Sequence, residues 1–462
     1  MSLNFDDKVI LGPMVRVGTL PIRLLSLDFG ADYVYTEELI DYKLLKCRRI
    51  ENEYLGTVDF VDDDHYVVFR TCEQERGKVI LQLGTCDADR ALKAAKLVER
   101  DVVGIDINMG CPKEFSIKGG MGAALLTQPE KVKQILTTLT QNLSKSVTCK
   151  IRVLPDLQET INLAKLIEST GVSAIAIHGR TKLERPQHKN RNDFIAAVAD
   201  ELKIPVIANG GSAEIQKYSD IRDFKLKTHC SSVMLSRAAE NNCSIFRKEG
   251  IVPLDSIIPM YLKYAVKYDN HVANTKYCIQ QMLGSLQETE KGRAFLSSQT
   301  LREICYIWGM NDFYDKNDAE LKQRIATKIE HKADDVIENV HKNKKLKGAE
   351  VEPLTLKYLK NLFVESSLPK TRLINYANRN FLSQPKYKTH QIEKHFYSVV
   401  TIGEKSYKNN YLEKNKKSAE QGAALVACFY LNLVGEDIIR QCFVQEVPHE
   451  RTLLTKKFLQ IV

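Results

Sequence analysis

Val102-Val103-Gly104-Ile105-Asp106-Ile107-Asn108-Met109-Gly110-Cys111-Pro112 is an apolar run that ends in a turn and a thiol. A run this continuous reads as a strand buried on both faces, which belongs in a parallel sheet. Gly110 lets the backbone turn sharply and Pro112 stops the strand, so Cys111 is expected to project from the rim of that sheet. Seven similar runs flank it, at 9–14, 33–37, 79–84, 147–152, 174–179, 205–210 and 232–237. Amphipathic segments at 88–99, 129–140, 157–168 and 192–202 lie between them, and Thr127-Gln128-Pro129-Glu130 has capping-box spacing. Eight strands alternating with helices predict an α/β fold, a (β/α)8 TIM barrel. A doubly wound open sheet is the alternative, but no Gly-x-Gly-x-x-Gly follows the first strand.

Composition narrows the class. The chain has 462 residues, 44% of them hydrophobic, enough for two or three domains with their own cores. No run of eighteen apolar residues occurs, and the first residues lack a basic start followed by an apolar segment, so a soluble, unsecreted protein is expected. The 11 cysteines are scattered, with no Cys-x-x-Cys pair and no zinc spacing. That pattern excludes a disulfide framework, points to a reducing, cytoplasmic setting and predicts no metal. The formal charge of +9 is concentrated: residues 341–430 hold 17 Lys and Arg against 7 Asp and Glu, so the rest nets −1. A polyanion partner for the C-terminal part follows.

Barrel geometry then sorts the polar residues. Active sites of this fold lie at the C-terminal strand ends, which here carry Gln82, Asn108, Cys111, Lys150, Arg152, His178, Arg180, Asn209 and Arg237. Each alone has a structural explanation, but polar groups closing almost every strand must converge on one mouth. After the seventh and eighth strands, Asn209-Gly210-Gly211-Ser212 and Ser236-Arg237 offer backbone donors and a guanidinium where barrels bind phosphate. Lys150, nearer the centre, would stabilise electron density on a reduced flavin, and Gln82 would hydrogen-bond the polar edge of the ring. FMN fits such a site.

Several separate motifs carry a family resemblance: Gly12-Pro13-Met14-Val15, Gln82-Leu83-Gly84, Asn108-Met109-Gly110-Cys111-Pro112 with Lys118-Gly119-Gly120-Met121-Gly122, Lys150-Ile151-Arg152, His178-Gly179-Arg180 and Asn209-Gly210-Gly211. Over roughly residues 1–335 the chain resembles the eukaryotic tRNA-dihydrouridine synthases, and in detail the cytoplasmic branch acting at position 20. The resemblance implies an FMN enzyme that uses NADPH or NADH to reduce the C5–C6 bond of a D-loop uridine. Cys111 would then protonate C5, and an ordinary thiol is largely protonated near neutrality. It further implies flavin contacts at Pro13, Met14, Val15, Gln82, Asn108, Lys150, His178, Asn209, Gly210, Gly211, Ser236 and Arg237. Lys113, Arg180 and Arg185 are positioned to meet RNA phosphates. Gly119-Gly120-Met121-Gly122 reads as a mobile loop able to close over the flavin.

Residues 253–333 read as a helical domain with basic and aromatic residues, Tyr261 to Tyr268 and Asn274 to Cys278, which the family uses to cradle tRNA. A polar, basic linker follows at 334–352. Residues 353–436 have the α-β-β-β-α layout of a double-stranded-RNA-binding domain, and 437–462 form a tail. Lys416 and Lys417 at the last helix start, Lys370 on the first helix, and Lys357 and Lys360 before it are the expected RNA contacts. Residues 1–252 constitute the barrel. A monomer acting on tRNA, without membrane or DNA partners and with a nuclear or mitochondrial pool left open, is the resulting expectation. An FMN oxidoreductase of a free pyrimidine or other small molecule, or a silent RNA-binding protein, are the alternatives.

Overall fold

The computed structural model describes residues 3–62, 66–324, 354–364, 367–392 and 395–443. They form two compact units that divide after Ala319. The linker at 334–352, the end of the helical segment at 325–333 and most of the tail, 444–462, lie outside the described residues.

Eight parallel strands close the barrel of the first unit: β1 (Val9–Leu11), β2 (Tyr33–Ile40), β6 (Val79–Gly84), β7 (Gly104–Met109), β8 (Ser146–Arg152), β9 (Ala174–His178), β10 (Val206–Asn209) and β11 (Ser232–Leu235). Every apolar run read as a strand is one. Helices Ala88–Val98, Pro129–Asn142, Leu157–Glu168 and Asn192–Glu201 pack their apolar stripes around the outside, and a single hydrophobic core fills the layer between. Helix Pro129–Asn142 starts on Pro129, with no side-chain cap, so the expected capping box is not formed. A second, smaller core lies inside the barrel, with Phe5, Ile10, Tyr35, Ile80, Ala176, Ile207 and Met234. The backbone N–H of Leu3 bonds Ser146 Oγ, and the Phe5 carbonyl accepts from Ser232 Oγ, so these first residues close the N-terminal mouth. The site must therefore use the other mouth.

Between β2 and β6 lies a three-stranded antiparallel sheet that the apolar pattern did not announce: β3 (Arg48–Asn52), β4 (Thr57–Val61) and β5 (Val67–Cys72). Its outer strand reads Arg48-Arg49-Ile50-Glu51-Asn52, charged and without a continuous apolar run. Arg70 on β5 pairs with Asp59 and donates to the Tyr268 carbonyl, joining this insert to the helices that follow the barrel.

Those helices include Leu254–Lys267, Val272–Leu283, Glu290–Ser297 and Leu301–Ile307. They share the outer core of the barrel through Ile257, Tyr261, Leu262, Cys278 and Phe295. Tyr261 is fully buried, Tyr264 donates to Asp28, and Tyr268 stacks on Tyr264, so these aromatics hold the helices to the barrel rather than facing a partner. Helix formation here is stabilised mainly by that packing.

The second unit contains helix Pro369–Arg379, the antiparallel sheet β12 (Lys386–Ile392), β13 (His395–Ile402) and β14 (Lys405–Lys408), and helix Lys416–Tyr430. This is the expected α-β-β-β-α double-stranded-RNA-binding fold. Ala419, Ala423, Ala424 and Ala427 of the last helix are buried, which lets it lie close on the sheet. Asn409 pins an N-terminal extension to the domain: its Nδ2 donates to the Leu356 carbonyl at 2.7 Å, and its Oδ1 accepts from the Leu356 N–H at 3.0 Å. A short helix, Glu436–Cys442, packs Ile439 and Cys442 into the same core.

Candidate active site

Strand register brings the polar residues together. Gln82 pairs with Asp106, Asn108 with Lys150, Arg152 with His178, and His178 with Asn209, so adjacent strands present them side by side. Above them lies a cleft of about 530 Å³, lined by Pro13, Met14, Val15, Gln82, Asn108, Cys111, Lys150, His178, Asn209, Gly210, Ser236 and Arg237 among others. That volume suits a cofactor or substrate. Of the expected flavin residues only Gly211 is missing from the lining. A Cβ there would stand 2.6 Å from the Phe224 ring, so Gly211 is small to let the next helix, Tyr218–Lys227, pack close.

The Cys111 turn is built from its own sequence. Asn108 Oδ1 accepts from the backbone N–H groups of Gly110 and Cys111, both at 2.9 Å, as an Asx turn does. Its Nδ2 donates to Gln82 Oε1 at 3.2 Å. Arg152 Nε supports the turn from β8 by donating to the Gly110 carbonyl at 2.7 Å. The glycine-rich run is folded back against the same turn. Ala123 N–H bonds the Cys111 carbonyl at 3.0 Å, and Gly120 and Gly122 take φ of +71° and +55°. Those glycines provide left-handed turns and close approach, where a mobile loop was expected.

Electrostatics separates the roles of the polar groups. The Lys150 ammonium makes no side-chain hydrogen bond among the described residues, and burial, with Arg152 nearby, pulls it down to about 8. His178 is held well below its ordinary value, first by burial and then by Lys150, Arg152, Arg180 and Arg237, so the ring is neutral near pH 7. Its Nε2 lies 3.2 Å from Arg180 Nη1, which makes Nε2 the acceptor and places the ring proton on Nδ1. Cys111 is pushed up to about 11 by burial and then by the Glu38 carboxylate. The thiol is thus more firmly protonated than the ordinary value from sequence implies.

Arg180, expected at RNA phosphates, is buried, with its guanidinium donating to the carbonyls of His188, Gly210 and Pro186. It closes the loop over His178. Lys113 and Arg185 are exposed at the cleft edge. In the second unit Lys357, Lys360, Lys416 and Lys417 are exposed, while Lys370 is ion-paired to Glu420 and lies over the Tyr387 ring. Several cleft residues escaped the sequence, Glu38, Glu184 and Glu240 among them, as did the supporting role of Arg152. Arg152 carried a signal, its place at a strand end. Glu38 carried none, because the apolar run of its strand ends before it.

Among the described residues no group of His, Cys, Asp and Glu is arranged to hold a metal, and no helix is long and apolar enough to cross a membrane.

Comparison with known proteins agrees with this geometry. The family model for dihydrouridine synthase matches residues 10–300. The tRNA-dihydrouridine(20) synthase [NAD(P)+] of Schizosaccharomyces pombe is 39% identical over 292 residues, covering 61% of this chain and 60% of the relative, so the match spans less than two thirds of that protein. The Saccharomyces cerevisiae protein of the same description is 35% identical over 300 residues, covering 61% and 78%. A crystal structure of a tRNA-dihydrouridine(20) synthase dsRBD domain is 32% identical, covers 18% of this chain and 89% of that one, and has a TM-score of 0.17.

Proposed function

This chain belongs to the dihydrouridine synthase family, and on that premise we propose that it reduces the C5–C6 double bond of a D-loop uridine in tRNA, at position 20, using FMN and NADPH or NADH. The observation that carries this reading is the firmly protonated Cys111 thiol in one cleft with the unpartnered ammonium of Lys150.

The cleft suits FMN. Gly210 takes φ +107°, and a Cβ there would run into Asn190 Oδ1 and stand 2.8 Å from His178 Cδ2, so only glycine leaves its backbone open to a ligand. Ser236 and Arg237 add a hydroxyl and an exposed guanidinium. Gln82, His178 and Lys150 offer the polar contacts expected for the ring. Bound there in its reduced form, FMN would supply the hydride that reduction at uracil C6 requires. Cys111 gives its Sγ proton to C5, a transfer suited to a thiol that remains neutral until released. Lys150 contributes fixed positive charge in a cleft where burial strengthens it. Asn108 and Arg152 hold the Cys111 turn so that the sulfur keeps its place as substrate enters.

For RNA, the exposed Lys357, Lys360, Lys416 and Lys417 supply phosphate contacts in the second unit, and Lys113 and Arg185 supply others at the cleft edge of the first. Taking a base out of its stack requires a few kcal/mol, which such contacts offset. Cytoplasmic tRNA is the substrate pool this composition fits.

Mapping dihydrouridine by position in tRNA from cells lacking the protein tests the reading. Loss confined to position 20, restored by the wild-type chain but not by Cys111→Ala, is expected. Unchanged dihydrouridine at position 20 overturns it.

A further inference from the structure

Glu38 reaches the cleft through an irregularity in β2. Pairing with β6 runs Val34 to Val79 and Tyr35 to Ile80, then resumes at Glu38 with Gln82, so two residues of β2 face one of β6. Tyr35 points into the barrel, as its place in the inner core shows. Strict alternation would turn Glu37 inward and Glu38 outward. The bulge reverses this: Glu37 Oε2 accepts from the Arg16 N–H at 2.8 Å, while Glu38 lines the cleft. Thr36 secures the bulge, its Oγ1 accepting from the Gln82 N–H at 3.0 Å and donating to the Glu37 carbonyl at 2.7 Å.

There Glu38 meets Cys111 and Ser116. Ser116 Oγ donates to Glu38 Oε1 at 3.4 Å, and Oε2 is buried without a partner among the described residues. Two glycines on other elements make room. A Cβ at Gly84 would stand 2.6 Å from Glu38 Oε1, and one at Gly122 would stand 2.5 Å from Ser116 Oγ and 3.0 Å from Cys111 Cβ. A carboxyl group, a hydroxyl and the thiol are thus packed around positions that admit no side chain.

We propose that Glu38 is the proton source for Cys111, returning a proton to the sulfur after each turnover and holding the thiol in its neutral form at rest. The inference rests on the reading of Cys111 as the acid. In the first step the Cys111 S–H bond breaks, its electron pair stays on sulfur, and a C5–H bond forms from the pair that hydride addition at C6 pushes onto C5. The thiolate then lies beside Glu38. In the second step water in the cleft gives a proton to the Glu38 carboxylate beside that thiolate, the Glu38 O–H bond then breaks as an S–H bond forms, and Glu38 is left as the carboxylate that faces the resting thiol.

The surroundings support that order. Burial raises the Glu38 carboxyl above its ordinary range, so it takes up a proton more readily than a surface glutamate. Cys111 lies higher still, at about 11, so a protonated Glu38 gives its proton to the thiolate downhill. The other charged groups facing the sulfur are cationic, Lys150 and Arg152 from β8. They favour thiolate, and Glu38 is the single carboxylate among the described cleft residues set against them at the sulfur.

The test uses the purified full chain with its flavin. Alkylation of Cys111 by iodoacetamide, followed by mass spectrometry of its peptide, is measured against pH in wild type and Glu38→Gln. Losing the adjacent negative charge is expected to make alkylation at pH 8 about tenfold faster. Single-turnover reduction of tRNA by pre-reduced Glu38→Gln should stay within a few-fold of wild type, while steady-state turnover falls about tenfold or more. Glu38→Asp, which keeps the charge, should keep the wild-type alkylation profile and serves if Glu38→Gln loses flavin or structure. Wild-type alkylation and turnover in a folded Glu38→Gln overturn the inference alone, provided Cys111→Ala is inactive. Full activity of Cys111→Ala overturns the acid reading and this inference with it.

Discussion

Asp106 Oδ2 accepts a 2.8 Å hydrogen bond from Gln82 Nε2 inside the barrel, and its other oxygen accepts from Thr148 Oγ1 at 2.7 Å. The amide of Gln82 is thereby oriented, because Nε2 is held below and Oε1 is left to accept from Asn108 Nδ2. One buried carboxylate thus sets the direction of a chain of bonds that runs through Gln82 and Asn108 to the Cys111 turn.

That carboxylate should be visible in stability. Burial pushes Asp106 up to about 6, against the two donors that favour its charged form. An unfolded aspartate titrates near 3.9, so the folded state binds more protons between those values and loses stability as pH rises through them. The amide in Asp106→Asn cannot titrate. The stability of the variant relative to wild type is therefore expected to rise by on the order of 2 kcal/mol from pH 4 to pH 7. Urea unfolding at several pH values checks this, and a pH-independent difference contradicts it.

Cys111 and Lys150 titrate in an unusual order. The thiol is pushed up to about 11 and the ammonium down to about 8. Any loss of kcat/KM between pH 7.5 and 9 should then come from Lys150 losing its charge, while Cys111 stays resistant to alkylation over that range. Lys150→Arg, with a group that keeps its charge, should remove this limb even if its overall rate is lower. A limb that persists in Lys150→Arg and parallels alkylation of Cys111 would reverse the assignment.

Gly210→Ala should release flavin without unfolding the barrel. Its φ of +107° is unfavourable for alanine, and the added methyl meets Asn190 and His178. A loss of about tenfold or more in FMN affinity is expected, read by flavin fluorescence, with the melting temperature lowered by only a few degrees. Retention of wild-type affinity would exclude the Gly210 backbone from the cradle.

The lysine pair of the second unit should act on RNA alone. In Lys416→Ala with Lys417→Ala, tRNA affinity is expected to fall. The slope of log affinity against log salt should become shallower by about 0.9 for each phosphate that is no longer neutralised. Flavin content should not change. Equal affinity and slope in variant and wild type would place the RNA contacts elsewhere.

All eight barrel strands were legible because a parallel strand buried on both faces needs an unbroken apolar run, and such runs are hard to mistake when helices separate them. The insert β3 to β5 was not, since an antiparallel sheet with an exposed edge alternates and carries charge. Cys111, Lys150 and His178 were found through their places at strand ends. Arg180 shares that placement, yet its guanidinium is taken up by the His188 and Pro186 carbonyls of the loop that folds back over it and by the Gly210 carbonyl after β10.

Local pattern alone determined the barrel, the Cys111 turn and the basic α-β-β-β-α module, because burial, turn chemistry and charge are written residue by residue. The company of the thiol was decided only in three dimensions. A single extra residue in β2 turns Glu38 inward to the sulfur, and Asp106 orients Gln82 across neighbouring strands. Strand register and a bulge are properties of pairing between distant segments, and no single segment states them.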